Sequence, residues 1–112
     1  MTVATAPIEK FRDYIFKPGA THGKDHVFLS LGYDRSHSAA LAALFERQAV
    51  VRYAHLDFSL GRSDEHGQRV NIEIELPGVG EYTDLTSYLI SGWIIRSNNS
   101  ITLTTPFSGF AR

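Results

Sequence analysis

Residues 70–76 alternate strictly between apolar and polar side chains, and this constrains the fold more than any other feature of the chain. The apolar set is Val70, Ile72, Ile74 and Leu76, and the polar set between them is Asn71, Glu73 and Glu75. A period of two puts each set on its own face of a β-strand. The pattern therefore predicts a strand with one buried face, which a second layer of the protein has to cover.

The first half of the chain has a helical period instead. Apolar residues recur at helical spacing in three segments, which predicts helices over residues 8–16, 24–31 and 37–50. Pro18 and Gly19 end the first segment, Gly32 follows the second, and Ser36 is a candidate N-cap for the third. Residues 1–7 have no period, and we expect them to be a loose end.

Strand patterns dominate the second half. Besides residues 70–76, strand-like runs cover residues 55–60, 88–96 and 101–105, and residues 97–100 are typical of a hairpin turn. Helices followed by closely connected strands predict an α+β fold, with two or three N-terminal helices packed on a four-stranded antiparallel sheet. The predicted core consists of Phe11, Phe28, Leu44, Phe45, Ile72, Ile74 and Trp93.

Composition excludes several classes of protein. A chain of 112 residues suits one domain, residues 1–112, with an ordered core over about residues 8–107. Its 11 Lys and Arg against 12 Asp and Glu exclude a strongly basic surface but leave room for a local basic site. Absence of cysteine excludes disulfides and cysteine-ligated zinc. No apolar run is long enough to span a membrane, and Met1–Pro7 lacks the basic start of a signal peptide, so we expect a cytoplasmic protein with no membrane partner.

Thr21–His26 contains the densest group of chemically active side chains. His22, Lys24, Asp25 and His26 lie within five residues, next to a predicted helix start that favours bound anions. Imidazoles exchange protons near neutral pH, and an ammonium stabilises a developing negative charge. The segment therefore has the groups that phosphoryl transfer needs. A solvated loop explains the same residues, and a metal site at His22 and His26 lacks a third ligand.

Two further groups lie on the predicted strands. The first includes Ser91, Trp93, Arg96 and the threonines near Thr105, where a structural role explains each residue separately. Trp93 is expected in the core, with an N–H group that needs a partner. The second consists of His55, Asp57, Glu73 and Glu75, which form either an acid–base pair or a solvated sheet face.

The order of these segments resembles that of a family of small, uncharacterised bacterial domains. In the first half of the chain the matching residues are Tyr14–Pro18, Lys24, Phe28 and Leu31–Tyr33. In the second half they are Pro77–Gly78, Ser91–Ile95 and Leu103–Phe107. The likeness covers about residues 8–107. These domains look like the toxin modules of the barnase/EndoU/colicin/RelE-like ribonuclease group, which combine N-terminal helices with a four-stranded antiparallel sheet.

The resemblance implies a metal-independent endoribonuclease toxin without a cofactor. RNA would be its substrate and a cognate antitoxin protein its partner. In that interpretation Lys24 stabilises charge at the phosphate, His22 or His26 acts as acid or base, and Thr105 and Arg96 contact the phosphate.

Two other functions are compatible with the same sequence. One is a non-catalytic binding module, such as an antitoxin-like or immunity protein that binds through its open sheet face. The other is an enzyme of a different class, such as an NAD-consuming transferase, for which the sequence has no nicotinamide-binding signature. Convergence of Lys24, a histidine, Arg96 and Thr105 on one cleft favours catalysis, and scatter favours binding.

Overall fold

The computed structural model describes residues 2–112. Within that range the regular elements comprise two α-helices and five strands. The helices are α1 (Asp25–Ser30) and α2 (Ser38–Ala54). The strands are β1 (Val3–Thr5), β2 (Ser59–Asp64), β3 (Gly67–Pro77), β4 (Thr86–Ile95) and β5 (Ser100–Phe110). The protein is α+β, as the sequence predicts.

The five strands form one mixed sheet in the order β1-β5-β4-β3-β2. The strands β2, β3, β4 and β5 pair in the antiparallel sense that the sequence predicts. The predicted number of strands is wrong, because β1 adds a fifth that runs parallel to β5 with Val3 opposite Ser100. A strand of three residues is too short to show a period, so the sequence pattern of residues 1–7 does not reveal it.

The first helical segment is shorter than predicted. Residues 8–16 contain a π-helical turn at Phe11–Ile15, in which the Phe16 N–H donates to the Phe11 carbonyl at 2.8 Å. This turn still buries Phe11 and Ile15, which are the apolar positions that suggested a helix. The helical half therefore has one long helix and shorter helical segments, where the sequence predicts two or three helices.

The cap before α2 also differs from the sequence-based expectation. Asp34, and not Ser36, accepts the capping hydrogen bonds, since the Ser36 N–H donates to the Asp34 carboxylate at 2.9 Å. His37 completes a capping box by accepting from the Asp34 N–H at 3.0 Å. The caps belong to a 3₁₀ turn, Arg35–His37, that precedes α2.

Two strands have other bounds than predicted. The strand expected at residues 55–60 begins only at Ser59, because α2 continues to Ala54 and Leu56 takes a left-handed conformation with φ 59°. The last strand continues through Pro106 to Phe110. Since β1 pairs only with the first residues of β5, that side of β5 is a free edge at Pro106, where a missing N–H is tolerated.

The core lies between one face of the sheet and the helices. Phe11, Phe28 and Phe45 meet there with ring centroids 5.0 to 6.4 Å apart. Of the seven predicted core residues, six are buried and Leu44 is half-buried against them. Residues 2–112 include no helix that is both long and apolar enough to cross a membrane.

Candidate functional site

A pocket of about 370 Å³ opens on the face of the sheet that points away from the helices. Val70 and Ile72 of β3 are buried in the core, so Arg69 and Asn71 project from the opposite face. We call this pocket the sheet pocket. Its lining residues are Gly61, Arg62, Arg69, Asn71, Gly92, Thr104, Thr105 and Ser108. Two guanidinium groups, one amide and three hydroxyls therefore line a space large enough for a small ligand.

An irregularity in the β4–β5 ladder shapes one wall of the sheet pocket. Gly92 is opposite Thr105, but the next residue, Trp93, is opposite Leu103. Thr104 is the extra residue of this bulge. Consecutive residues of a regular strand point to opposite faces, whereas here both Thr104 and Thr105 line the pocket.

A second irregularity, in the β2–β3 ladder, shapes the opposite wall. It brings the consecutive Gly61 and Arg62 to the same pocket. The Nε of Arg62 lies 3.4 Å from the Asp64 carboxylate. A hydrogen bond from the His66 backbone N–H and, less strongly, the charge of Arg62 hold the pKa of Asp64 below its ordinary value. Asp64 is therefore ionised at neutral pH and balances the charge of Arg62.

Arg69, which lines the sheet pocket, has an unsatisfied hydrogen-bond donor. Among the described residues, its Nε is the buried side-chain polar atom without a hydrogen-bond partner. Arg69 is opposite Ile94, which is only 2% exposed, so this part of the open face excludes water. A buried donor without an acceptor costs about 1–3 kcal/mol. An anion that reached the Arg69 guanidinium would supply the missing acceptor, so Arg69 is a candidate anion-binding residue of the pocket.

Two of the pocket hydroxyls are oriented by the backbone. Thr104 donates to the Gly92 carbonyl at 3.0 Å, and Ser108 donates to the Ile90 carbonyl at 3.2 Å. Because their hydrogens are used within the sheet, these two oxygens present lone pairs to a ligand. The sheet pocket therefore combines cationic donors with oriented acceptors.

The predicted catalytic segment lies on the other side of the sheet. Lys24 directly precedes α1, whose Val27 and Phe28 are buried in the core between helices and sheet. The Lys24 ammonium lies 5.3 Å from the centroid of the Tyr14 ring, a cation–π contact. The sheet itself separates Lys24 from Thr105.

His22 and His26 have different surroundings. His22 Nδ1 accepts from the Lys24 backbone N–H at 2.9 Å, so the other ring nitrogen carries the proton and donates to the Tyr14 carbonyl at 2.8 Å. Both ring nitrogens of His22 are thus engaged in hydrogen bonds to the backbone. A proton transfer to a substrate would require one of these hydrogen bonds to break. His26 is 82% exposed on its side chain, with Asp25 as its nearest carboxylate at 3.9 Å.

The five predicted catalytic residues are therefore only partly brought together. Lys24 and His22 are neighbours, and His26 lies in solvent close to them in the sequence. Arg96 is exposed at the start of the turn between β4 and β5. Thr105 lines the sheet pocket, whose lining includes none of the other four.

Glu73, one of the two acidic residues of this cluster on β3, is engaged in ion pairs. Glu73 lies 2.8 Å from Arg112 and 3.8 Å from Arg52. His55 donates from Nδ1 to the Val51 carbonyl at 2.9 Å, within the end of α2. Glu73 and His55 are thus held by other groups, which favours the interpretation of this cluster as a solvated face with ion pairs.

Sequence reasoning missed most of the sheet pocket. The period of two that starts at Val70 extends back by one residue and puts Arg69 on the polar face with Asn71, which is a readable signal. Gly92 inside a strongly β-forming run is a second signal, because glycine in a strand often marks a bulge or a close ligand. The sequence around Thr104 and Thr105 itself does not show that a bulge turns both threonines to the same face.

Within residues 2–112 no group of three or more His, Cys, Asp or Glu residues is arranged to hold a metal ion. Comparisons of the chain with protein-family models, with curated proteins and with solved structures find no match. Function is therefore inferred from the geometry of the sheet pocket.

Proposed function

We propose that this protein is a non-catalytic binding module that holds a phosphate ester of an RNA strand in the sheet pocket. The observation that carries the proposal is the buried, unpartnered Nε of Arg69 in a pocket that also contains Arg62. A guanidinium donates two parallel hydrogen bonds to phosphate and loses less hydration than an ammonium on burial. The resemblance to ribonuclease-like domains supports RNA as the source of the phosphate.

The side chains of the sheet pocket suit binding of RNA more than its cleavage. Acid–base cleavage of RNA needs groups that exchange a proton at the reacting atoms. None of the eight residues that line the sheet pocket is a histidine or a carboxylate. His22 and His26, the predicted acid and base, belong to the helical side of the sheet.

The test is a comparison of arginine variants in a binding assay. We expect Arg69→Ala to weaken binding of a short fluorescein-labelled single-stranded oligoribonucleotide by about tenfold or more in fluorescence anisotropy, since a charge-assisted hydrogen bond contributes roughly 1.5–3 kcal/mol. Arg69→Lys keeps the positive charge but cannot donate two parallel hydrogen bonds. We expect its affinity to lie between those of the wild type and Arg69→Ala.

Arg47→Ala is the matched control, because it removes the same charge from an exposed position of α2. Equal losses in Arg69→Ala and Arg47→Ala would indicate non-specific attraction and defeat the proposal. So would wild-type affinity in Arg69→Ala. Thermal melting followed by circular dichroism establishes that both variants are folded.

The second candidate is the metal-independent endoribonuclease toxin, with a cognate antitoxin as its partner. The observation in its favour is that Thr105, a predicted phosphate contact, lines the arginine-containing sheet pocket. Incubation of cellular RNA with the protein in excess EDTA, followed by mapping of new RNA ends, separates the candidates. New ends produced by the wild type would favour the toxin, and intact RNA with measurable binding would favour the binding module.

A further inference from the structure

Gly92 lines the sheet pocket. On the exposed face it lies between Asn71 of β3 and Thr105 of β5, with which it is in register. We propose that the missing side chain at position 92 determines access to the site, by letting a phosphate ester lie against the β4 backbone within reach of Arg69. This inference rests on the proposed phosphate-binding function.

The fold does not require glycine at this position. Gly92 is absent from the glycines of the described chain that have a positive φ, so its backbone conformation is open to other residues. A Cβ atom there would meet the Thr104 hydroxyl oxygen and the Thr105 Cβ at 3.4 Å, the lower limit of ordinary van der Waals contact. Alanine would therefore fit without displacing a neighbour.

Gly78, which directly follows β3, shows what a structurally required glycine looks like. A Cβ atom at Gly78 would lie 1.9 Å from the Tyr82 carbonyl oxygen, so any side chain there forces the backbone apart. Position 92 has no such restriction. Glycine inside a strand also loses more conformational entropy on folding than alanine does. Gly92 thus costs stability that neither a positive φ nor a close contact requires.

The proposed role of Gly92 depends on the direction in which a side chain at this position would point. A Cβ at position 92 would point into the sheet pocket, against the hydroxyl-bearing wall formed by Thr104 and Thr105. Arg69 lies on the adjacent strand, two residues from Asn71. A side chain at position 92 would take up pocket space beside the threonine wall, and so would restrict how a phosphate group can lie against the β4 backbone to reach the Arg69 guanidinium.

The test is a size series at position 92. We expect Gly92→Ala to weaken binding of the same fluorescein-labelled oligoribonucleotide by about tenfold. Gly92→Val should weaken it further, because its larger side chain fills more of the pocket. The melting temperature of Gly92→Ala should equal or exceed that of the wild type, since alanine removes backbone freedom from the unfolded chain.

The outcomes distinguish this inference from the proposed function. Wild-type affinity in Gly92→Ala, together with loss of binding in Arg69→Ala, would overturn the role of Gly92 and leave phosphate binding intact. Unchanged affinity in Arg69→Ala would overturn the proposed function itself. A melting temperature of Gly92→Ala far below that of the wild type would show that the fold requires this glycine, which also contradicts the inference. Gly92→Ala decides the question even where Gly92→Val does not fold.

Discussion

The indole N–H of Trp93 donates a hydrogen bond to the hydroxyl of Ser91 at 2.8 Å, and both side chains are fully buried. Ser91 in turn donates to the Ile72 carbonyl of the neighbouring strand at 2.8 Å. The two residues are separated by one position of β4 and therefore share the core face. This relay satisfies the indole donor inside an apolar core, where an unpaired N–H would be costly.

Replacement of Ser91 by alanine tests this relay. Ser91→Ala leaves the Trp93 N–H buried without an acceptor, so we expect the free energy of unfolding to fall by about 1–3 kcal/mol. Urea unfolding followed by the fluorescence of the single tryptophan measures the change. Ser97→Ala, at an exposed serine in the β4–β5 turn, should stay within about 0.5 kcal/mol of wild type. Equal stabilities of the two variants would contradict the relay.

Phe45 is the central contact of the helix layer. Its ring is fully buried and lies 5.0 Å from that of Phe11 and 6.4 Å from that of Phe28. We expect Phe45→Ala to lower the free energy of unfolding by about 3–5 kcal/mol, because it removes a large side chain from a packed core. Val51→Ala, on the exposed side of the same helix, is the control. A loss below about 1 kcal/mol in Phe45→Ala would show that the core tolerates the cavity.

Asp34 predicts an acid-dependent loss of stability. Hydrogen bonds from Ser36, first from its hydroxyl and then from its backbone N–H, hold the pKa of Asp34 below its ordinary value of 3.8. The unfolded state then takes up the proton more readily than the folded state, so stability falls as the pH drops below about 3.8 toward the folded pKa. Melting temperatures measured between neutral pH and acid should show this decline.

Asp34→Asn provides the control for that experiment. Asparagine keeps an oxygen acceptor for the cap but does not titrate. We expect its melting temperature to fall less than that of the wild type over the same acid interval, with Asp13 and Asp64 contributing the remaining decline in the same direction. Parallel pH profiles for the two proteins would exclude Asp34 as a source of the acid sensitivity.

Lys24 distinguishes the two candidate functions. Its ammonium rests over the Tyr14 ring on the helical side of the sheet, away from the sheet pocket. We therefore expect Lys24→Ala to bind the oligoribonucleotide with wild-type affinity and to melt near the wild-type temperature. If Lys24→Ala instead abolished RNA cleavage or toxicity by about 10²-fold or more while remaining folded, the endoribonuclease would replace the binding module as the better interpretation.

The patterns that lie within one element could be predicted from the sequence. The alternation of residues 70–76 correctly predicts which side chains of β3 are buried, because a strand turns successive residues to opposite faces whatever its partners are. Of the stripe Leu41, Leu44, Phe45 and Val50 that the helical spacing predicts for α2, Leu41 and Phe45 are buried and the other two are half-buried. Six of the seven predicted core residues are buried for the same reason.

Features that depend on residues distant in the chain could not be predicted in this way. The pairing of Val3 with Ser100 joins opposite ends of the chain and creates β1 from a segment with no period. Likewise, Lys24 and Thr105 both suggest phosphate chemistry in the sequence, yet the sheet lies between them. Side-chain chemistry is a local property, whereas convergence on one cleft is set by how the layers pack.

The sequence by itself therefore determined the α+β class, the antiparallel pairing within the second half and the identity of the core. Only the tertiary structure decided the location of the candidate site. Pairing of β3 with β4 placed Arg69 beside the buried Ile94, and the bulge opposite Gly92 turned two consecutive threonines to one pocket. Both effects depend on the register between strands, which a period of two along one strand does not specify.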